Sequence, residues 1–180
     1  KFLKGSPDID VAITSAETLL KEIFTVKGCG TFIKYYDILS TKNIKSLDLS
    51  KLKSLLEDAF GKTVMSDYFE GRIIDLFYKK DYEGAAIIKK VSGIPYLDKL
   101  AVARYRQGTG LGKCLWNCVI SKYPTIIWRA TLSNPFNCFY MKNCNGMIKD
   151  KEWYFYWVNL DRKKVIPMLQ RVINIPRTMM

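Results

Sequence analysis

Hydrophobic positions change their period along this chain, and each change marks an element. Leu19, Leu20 and Phe24 fall on one face of a helix expected over 16–24, with Ser15 as its cap. Gly28 and Gly30 break that pattern, and 31–36 is rich in strand-forming residues. Leu52, Leu55, Leu56 and Phe60 recur at three-to-four spacing, which predicts a helix starting at Asp48 or Ser50 and ending at Gly61. From Arg72 the pattern turns to strands. Segments 72–78 and 85–91 flank the polar turn 80–84 and read as a hairpin. A strand at 96–102, a glycine-rich turn and a helix over about 110–122 follow. Pro124 stops that helix before a short strand at 125–128. Asn134-Pro135 opens a further helix, with proline at its first position, that ends near Gly146. The aromatic segment 152–160 is the last strand. Residues 1–14 read as a lead-in and 161–180 as an arm or tail, leaving one domain over 15–160.

A hairpin followed by strand, helix, strand, helix and strand is an α/β (α+β) pattern: a mixed central sheet flanked by helices. The strand–helix–strand over 96–128 calls for a parallel pair. With 180 residues, 48% hydrophobic and 26% charged, the chain suits one globular core. No apolar run approaches the ~18 residues that span a bilayer. No signal peptide opens the chain, which starts at Lys1 without a methionine and so reads as a fragment of a longer protein.

The net charge of +12 suggests an anionic partner, although a solvated basic surface has the same composition. There is no histidine, which excludes Ser-His-Asp and Cys-His nucleophilic sites within this domain. Cys114 and Cys118 are four apart on a helix, but with no histidine and no C-x-x-C pair they read as small core residues, and no metal is expected.

Chemistry concentrates at Arg106-Gln107-Gly108-Thr109-Gly110-Leu111-Gly112, between a strand and a helix. Glycines at alternate positions let the backbone bend and approach a ligand without Cβ clashes. The free amides and the helix dipole then form an anion site that fits a diphosphate. It is not a P-loop, since no Gly-Lys-Ser/Thr follows. It is not a dinucleotide fingerprint either, being G-x-G-x-G with no acidic residue ~20 positions on. A glycine-rich helix entry without a ligand is the plain alternative.

Gln107-x-x-Gly110-x-Gly112 resembles the Q/R-x-x-G-x-G/A motif of GNAT acetyltransferases. Tyr96-Leu97-Asp98-Lys99-Leu100-Ala101-Val102 upstream, and Trp128-Arg129 through Asn134-Pro135 to Tyr140 downstream, extend the likeness. Together they resemble the acetyltransferase domain of N-acetylglutamate synthase over most of 16–160, including the aromatic strand 153–157. Bifunctional synthase/kinases and fungal acetylglutamate kinases carry a similar domain. The resemblance implies the GNAT fold and acetyl-CoA as cosubstrate. Its pyrophosphate would be held by Gln107, Gly108, Gly110, Leu111 and Gly112, and its pantetheine arm would lie along Leu100 and Val102. It implies that Lys99, Arg129 and Asn134 bind L-glutamate, and that Tyr140, with Asn134, serves catalysis by protonating the departing thiolate.

These residue types suit that chemistry. Arginine clamps a carboxylate with two bonds and lysine supplies a point charge. A tyrosine, with its usual pKa of ~10, can protonate a thiolate whose acid has a pKa of ~8.5. Residue by residue, plainer readings remain: surface charge for Lys99 and Arg129, a helix cap for Asn134, a core aromatic for Tyr140. Thr131 stands where the family has a second arginine, which removes one carboxylate contact. Leu100 and the Cys138-Phe139 pair also depart from the pattern, as packing changes.

The expected reaction is direct attack of the glutamate α-amine on the thioester, polarised by a strand N–H, as the first step of arginine biosynthesis. No general base is evident. Three other readings stand beside it. One is a weakly active or inactive regulatory or assembly module, as in acetylglutamate kinase. Another is a GNAT enzyme acting on protein or polyamine amines, which Lys99 and Arg129 disfavour. The last, nucleic-acid binding, lacks a stacking-plus-basic motif. The resemblance further implies an amino-acid kinase domain in the full-length chain, a homo-oligomer with acetylglutamate kinase as a possible partner, no nucleic acid or membrane partner, and the mitochondrial matrix.

Overall fold

The computed structural model describes residues 10–13, 15–17, 31–34 and 36–180. The chain divides into two compact units, 1–37 and 38–180. In the first, β1 (Asp10–Ile13) pairs antiparallel with β2 (Thr31–Lys34), the β-rich segment expected there. Most of the helix expected over 16–24 lies outside the described residues.

The second unit is built on a seven-stranded sheet. Its strands are β3 (Ile38–Thr41), β4 (Ile73–Lys79), β5 (Gly84–Val91), β6 (Ile94–Val102), β7 (Ile126–Thr131), β8 (Gly146–Lys149) and β9 (Trp153–Val158), in the order β3-β4-β5-β6-β7-β9-β8. Every neighbouring pair is antiparallel except β6 and β7, the parallel pair expected across the glycine-rich turn. The connection between them is α2 (Leu111–Lys122), numbered after α1 (Leu49–Phe60).

Helix α1 begins where the Asp48 side chain accepts the Lys51 N–H, and Gly61 ends it in the left-handed conformation at φ 62°. Its apolar stripe, Leu52, Leu55 and Leu56, packs on Tyr68, Leu76, Ala85, Ile87 and Ala101. On the same sheet face, α4 (Arg162–Ile173) places Met168 and Val172 against Tyr96, Ile127 and Phe155. The opposite face carries α2 and α3 (Asn137–Asn143), whose Trp116 and Tyr140 meet Trp128 of β7 edge-on. Trp128 in turn stacks on Tyr156 of β9. The arrangement is a mixed sheet flanked by helices, as the pattern predicted.

Differences from expectation are local. The stretch 161–180 is not featureless. It holds α4 and then a return segment whose Thr178 and Met180 exchange backbone hydrogen bonds with Thr63 and Met65. Helix α3 starts at Asn137, not at Pro135, and stops at Asn143. Gly146, expected as a helix end, instead opens β8. A Cβ there would sit 2.3 Å from the Trp157 ring, so the glycine admits that ring.

Candidate active site

The site begins where two neighbouring strands stop pairing. β6 and β7 are in register at Tyr96/Ile127 and Leu97/Trp128 and at no later position. β6 runs on to Val102 and β7 to Thr131, so the strands splay. A bulge helps to turn β6 away. Lys99 faces Ile87 of β5 while Leu97 faces Ile88, which leaves Asp98 as the extra residue. The gap opens into a cavity of about 400 Å³, within the usual range for small-molecule sites.

This cavity brings together Lys99, Leu100, Val102, Gln107, Arg129, Asn134 and Tyr140, seven of the residues singled out in the sequence. Strand alternation divides them. Lys99 lies opposite Ile87 and Arg129 opposite Phe155, on the face of α1 and α4. Tyr140, on α3, belongs to the other face. The cavity therefore passes between the strands from one face of the sheet to the other.

Gly108, Gly110, Leu111 and Gly112 lie outside the cavity lining. Gly108 and Gly110 take φ of 81° and 93°, a conformation only glycine adopts without strain, and open space surrounds the position of a Cβ on each. Gly110 caps α2 with no side-chain bond, so the first amides of the helix have no intrahelical partner. Cys114 is the first N–H to bond back, to the Gly110 carbonyl. The Leu111 side chain is fully buried, so a ligand could meet this residue only through its backbone. Gly112 lies against Phe136 and Val102. Gln107 donates to the Val102 carbonyl at 3.4 Å. Glu83, read from sequence only as part of the hairpin's polar turn, anchors the turn before the glycines. It accepts from Arg106 Nε at 2.8 Å and from the Tyr105 hydroxyl at 3.0 Å, and its own carbonyl receives the Ala103 N–H.

The cavity lining is strongly cationic. Lys62, Lys99, Arg129 and Arg177 line it, and Asp98 is the one carboxylate among the described lining residues. Lys99 Nζ lies 3.2 Å from Asp98 Oδ2 and donates to Thr178 Oγ1 at 2.9 Å. Burial pushes its ammonium below the usual value, against the pull of Asp98. For Asp98, burial opposes ionisation, yet Lys99 and Lys89 hold its carboxyl below the ordinary range. We take the carboxylate as ionised, because three donors converge on one oxygen.

Arg129 stacks on Trp153 at 4.2 Å and donates to the carbonyls of Val172 at 2.7 Å and Ile175 at 2.6 Å. It thereby caps the end of α4 and fixes the return segment beside the cavity. Asn134 Oδ1 accepts the Phe136 N–H at 2.8 Å, which forms a turn; it is not the helix cap weighed from sequence, because Phe136 takes that position. Tyr140 is 6% exposed, and burial pushes its phenol well above the usual value, so it remains protonated at neutral pH. Trp128 Nε1 is a buried donor in the cavity wall with no protein partner. Asn137 ties the site together: it donates to the carbonyls of Thr131 and Leu132 and accepts from Tyr156. Thr131 lines the cavity, without a charge, where the resemblance calls for arginine.

Cys114 and Cys118 are part-buried one turn apart on α2, and burial pushes the Cys114 thiol up to about 11. No group of three or more acidic, cysteine or histidine ligands suited to a metal occurs among the described residues. Likewise, no described helix is long and apolar enough to cross a membrane.

A seven-stranded mixed sheet, one parallel pair that splays, and a glycine-rich turn feeding the crossover helix define the GNAT class of acetyltransferase folds. A solved example is N-acetylglutamate synthase from Neisseria gonorrhoeae complexed with coenzyme A and N-acetyl-glutamate. It superposes at TM-score 0.52 with 17% identity, over 79% of this chain and 40% of that one. More specifically, a family model described as the N-acetyltransferase (NAT) of N-acetylglutamate synthase matches residues 39–175, and the chain belongs to that family. It is 39% identical over 155 residues to mitochondrial N-acetylglutamate synthase of Mus musculus, covering 82% of this chain and 29% of that protein. It is 35% identical over 158 residues to acetylglutamate kinase of Xanthomonas campestris, covering 84% of this chain and 37% of that protein. The chain thus spans about a third of the length of these relatives.

Proposed function

We propose that this domain transfers the acetyl group of acetyl-CoA to the α-amine of L-glutamate. The observation that carries this reading is the cavity at the splayed strands. It reaches Gln107 of the glycine-rich turn and is lined by four cations and a single carboxylate. A small diacid suits such a lining, and a cationic amine substrate does not.

In this reading the diphosphate of acetyl-CoA rests on the amides of Leu111, Gly112 and Lys113 at the start of α2, which precede the first intrahelical bond. Its pantetheine arm runs along the unpaired edge of β6 at Leu100 and Val102. Lys99 and the Asn134 amide hold the glutamate carboxylates, and Arg129 adds its positive charge while its terminal N–H groups stay on the carbonyls of residues 172–176. The neutral amine attacks the thioester carbon, the C–S bond breaks, and Tyr140 donates its proton to the departing sulfur. Burial raises the Tyr140 pKa, so the phenol keeps its proton until a thiolate forms beside it. Asp98 Oδ2 already holds three donors, so the proton lost by the amine goes to water.

Thiol release from acetyl-CoA, followed with and without L-glutamate, tests the proposal. Release that depends on glutamate, and not on lysine or spermidine, is expected. Release indifferent to the acceptor, or none, contradicts it. We propose further that the domain works beside an amino-acid kinase domain, in an oligomer, in the mitochondrial matrix. The kinase relative supports the first point and the mitochondrial relative supports the organelle. Light scattering and organelle fractionation of the full-length protein check it. A monomer, or a cytosolic fraction, contradicts the corresponding point.

A further inference from the structure

Lysines beside an anion pocket are useful only if their charge is not already spent on a neighbour. Lys99 has such a neighbour. Asp98 Oδ2, on a side chain 4% exposed, lies 3.2 Å from Lys99 Nζ. Taken alone, the two form a neutral pair with little attraction for a carboxylate.

A third group changes that sum. Lys89, two residues beyond Ile87 on β5, lies on the same sheet face and brings its Nζ to 3.4 Å from the same Asp98 oxygen. Its side chain is 19% exposed, and it is not part of the cavity lining. The Tyr68 ring covers this ammonium at 4.3 Å, while the Tyr68 hydroxyl donates to Asp98 Oδ2 at 2.6 Å. Only one of the two ammonium groups, Lys99, faces the cavity. The buried cluster carries two positive charges and one negative, so one positive charge is left over. Partly buried charges are screened weakly, so that remainder is felt across the cavity.

We infer that Lys89 is a positioning residue for the acceptor site: it neutralises Asp98 from behind, so that Asp98 can orient Lys99 while the Lys99 charge stays available to an anionic acceptor. The chemical class this favours is a dicarboxylate over its neutral amide analogue. The inference rests on the proposed acetyl transfer to glutamate and adds a residue that touches neither substrate.

A charge-balance cycle tests it, measured as glutamate-dependent thiol release. Lys89→Met removes the cancelling charge and keeps an unbranched side chain beneath Tyr68. The glutamate KM should rise about tenfold, with kcat and the acetyl-CoA KM within about twofold of the parent. Lys89→Arg should restore the parent value. The Lys89→Met/Asp98→Asn double variant returns the cluster to a single positive charge and should bring the glutamate KM back toward the parent value. A purely structural role for Lys89 predicts the opposite, since the double variant has lost two packing partners. The inference is overturned if Lys89→Met leaves the glutamate KM unchanged, raises both KM values alike, or is made worse by Asp98→Asn. If Lys89→Met does not fold, the double variant alone decides: a glutamate KM near the parent value supports the inference and a tenfold rise overturns it. A parent protein with no glutamate-dependent release would instead refute the acetyl-transfer reading. The two failures are therefore distinct.

Discussion

The glycine-rich turn and the cationic cavity beside it are built by different means. At the proposed coenzyme end the groups on offer are main-chain amides, presented by a turn whose glycines at 108 and 110 take positive φ and face open space. At the acceptor end they are side chains from β6, β7 and the loop before α3, held by partners as remote as residues 172–178. The first needs only a short stretch of sequence to form. The second needs most of the fold. Damage to the coenzyme end should therefore weaken one ligand, whereas damage to the acceptor end should disturb binding, charge balance and stability together.

The largest expected effect falls where the two ends meet. Tyr140→Phe removes the proposed proton donor and keeps the ring packed against Trp128. It should lower kcat by about a hundredfold with little change in either KM. Unchanged turnover would remove Tyr140 from the reaction. Next comes Arg129→Ala, which should separate the ends most clearly. The carbonyls of Val172 and Ile175 lose their donor, at a cost of roughly 2 kcal/mol of stability, and the glutamate KM should rise with them. Thermal melting and acceptor kinetics read the two losses. A change in KM with no loss of stability would mean that the cap on α4 contributes little.

Gly110→Ala is the counterpart at the coenzyme end. Forcing a side chain to φ 93° costs of the order of 1–2 kcal/mol, so the acetyl-CoA KM should rise about tenfold while the glutamate KM stays put. Equal effects on both would erase the distinction drawn here. The smallest effect is a pH dependence of stability. Asp98 titrates below its usual 3.8 in the folded protein, so the unfolded chain binds more protons in the window below that value. Its contribution is complete above about pH 4 and fades as the pH falls through the folded value. Asp98→Asn should flatten that part of the melting-temperature profile, and a profile with unchanged slope would show that other groups set it.

The same contrast explains what could be read in the sequence. The helix with Leu52, Leu55 and Leu56, the hairpin at 73–91 and the parallel crossover announced themselves by period, caps and glycines. The glycine-rich turn was legible because its residue type is forced by backbone geometry at Gly108 and Gly110. The resemblance pointed to Lys99, Arg129, Asn134 and Tyr140, and these converge on one cavity. What supports them was not visible. The bulge at Asp98 leaves no signal in hydrophobic alternation, and the partnership of Lys89, Asp98 and Tyr68 joins residues up to thirty positions apart. β3 and β8 are four residues each, too short to show a period. Helix α4 was hidden by Pro167 in its interior and by a basic first turn, although Met168 and Val172 do sit four apart on its buried face.

In the proposed reaction the cationic cavity beside the splayed strands receives a free dicarboxylic amino acid. Calorimetric titration of L-glutamate into the protein saturated with coenzyme A, which prevents turnover, tests it most directly. One saturable site is expected, at least tenfold weaker in Lys99→Ala while that variant still binds coenzyme A like the parent. No heat of binding, or equal affinity in the two proteins, would contradict the account.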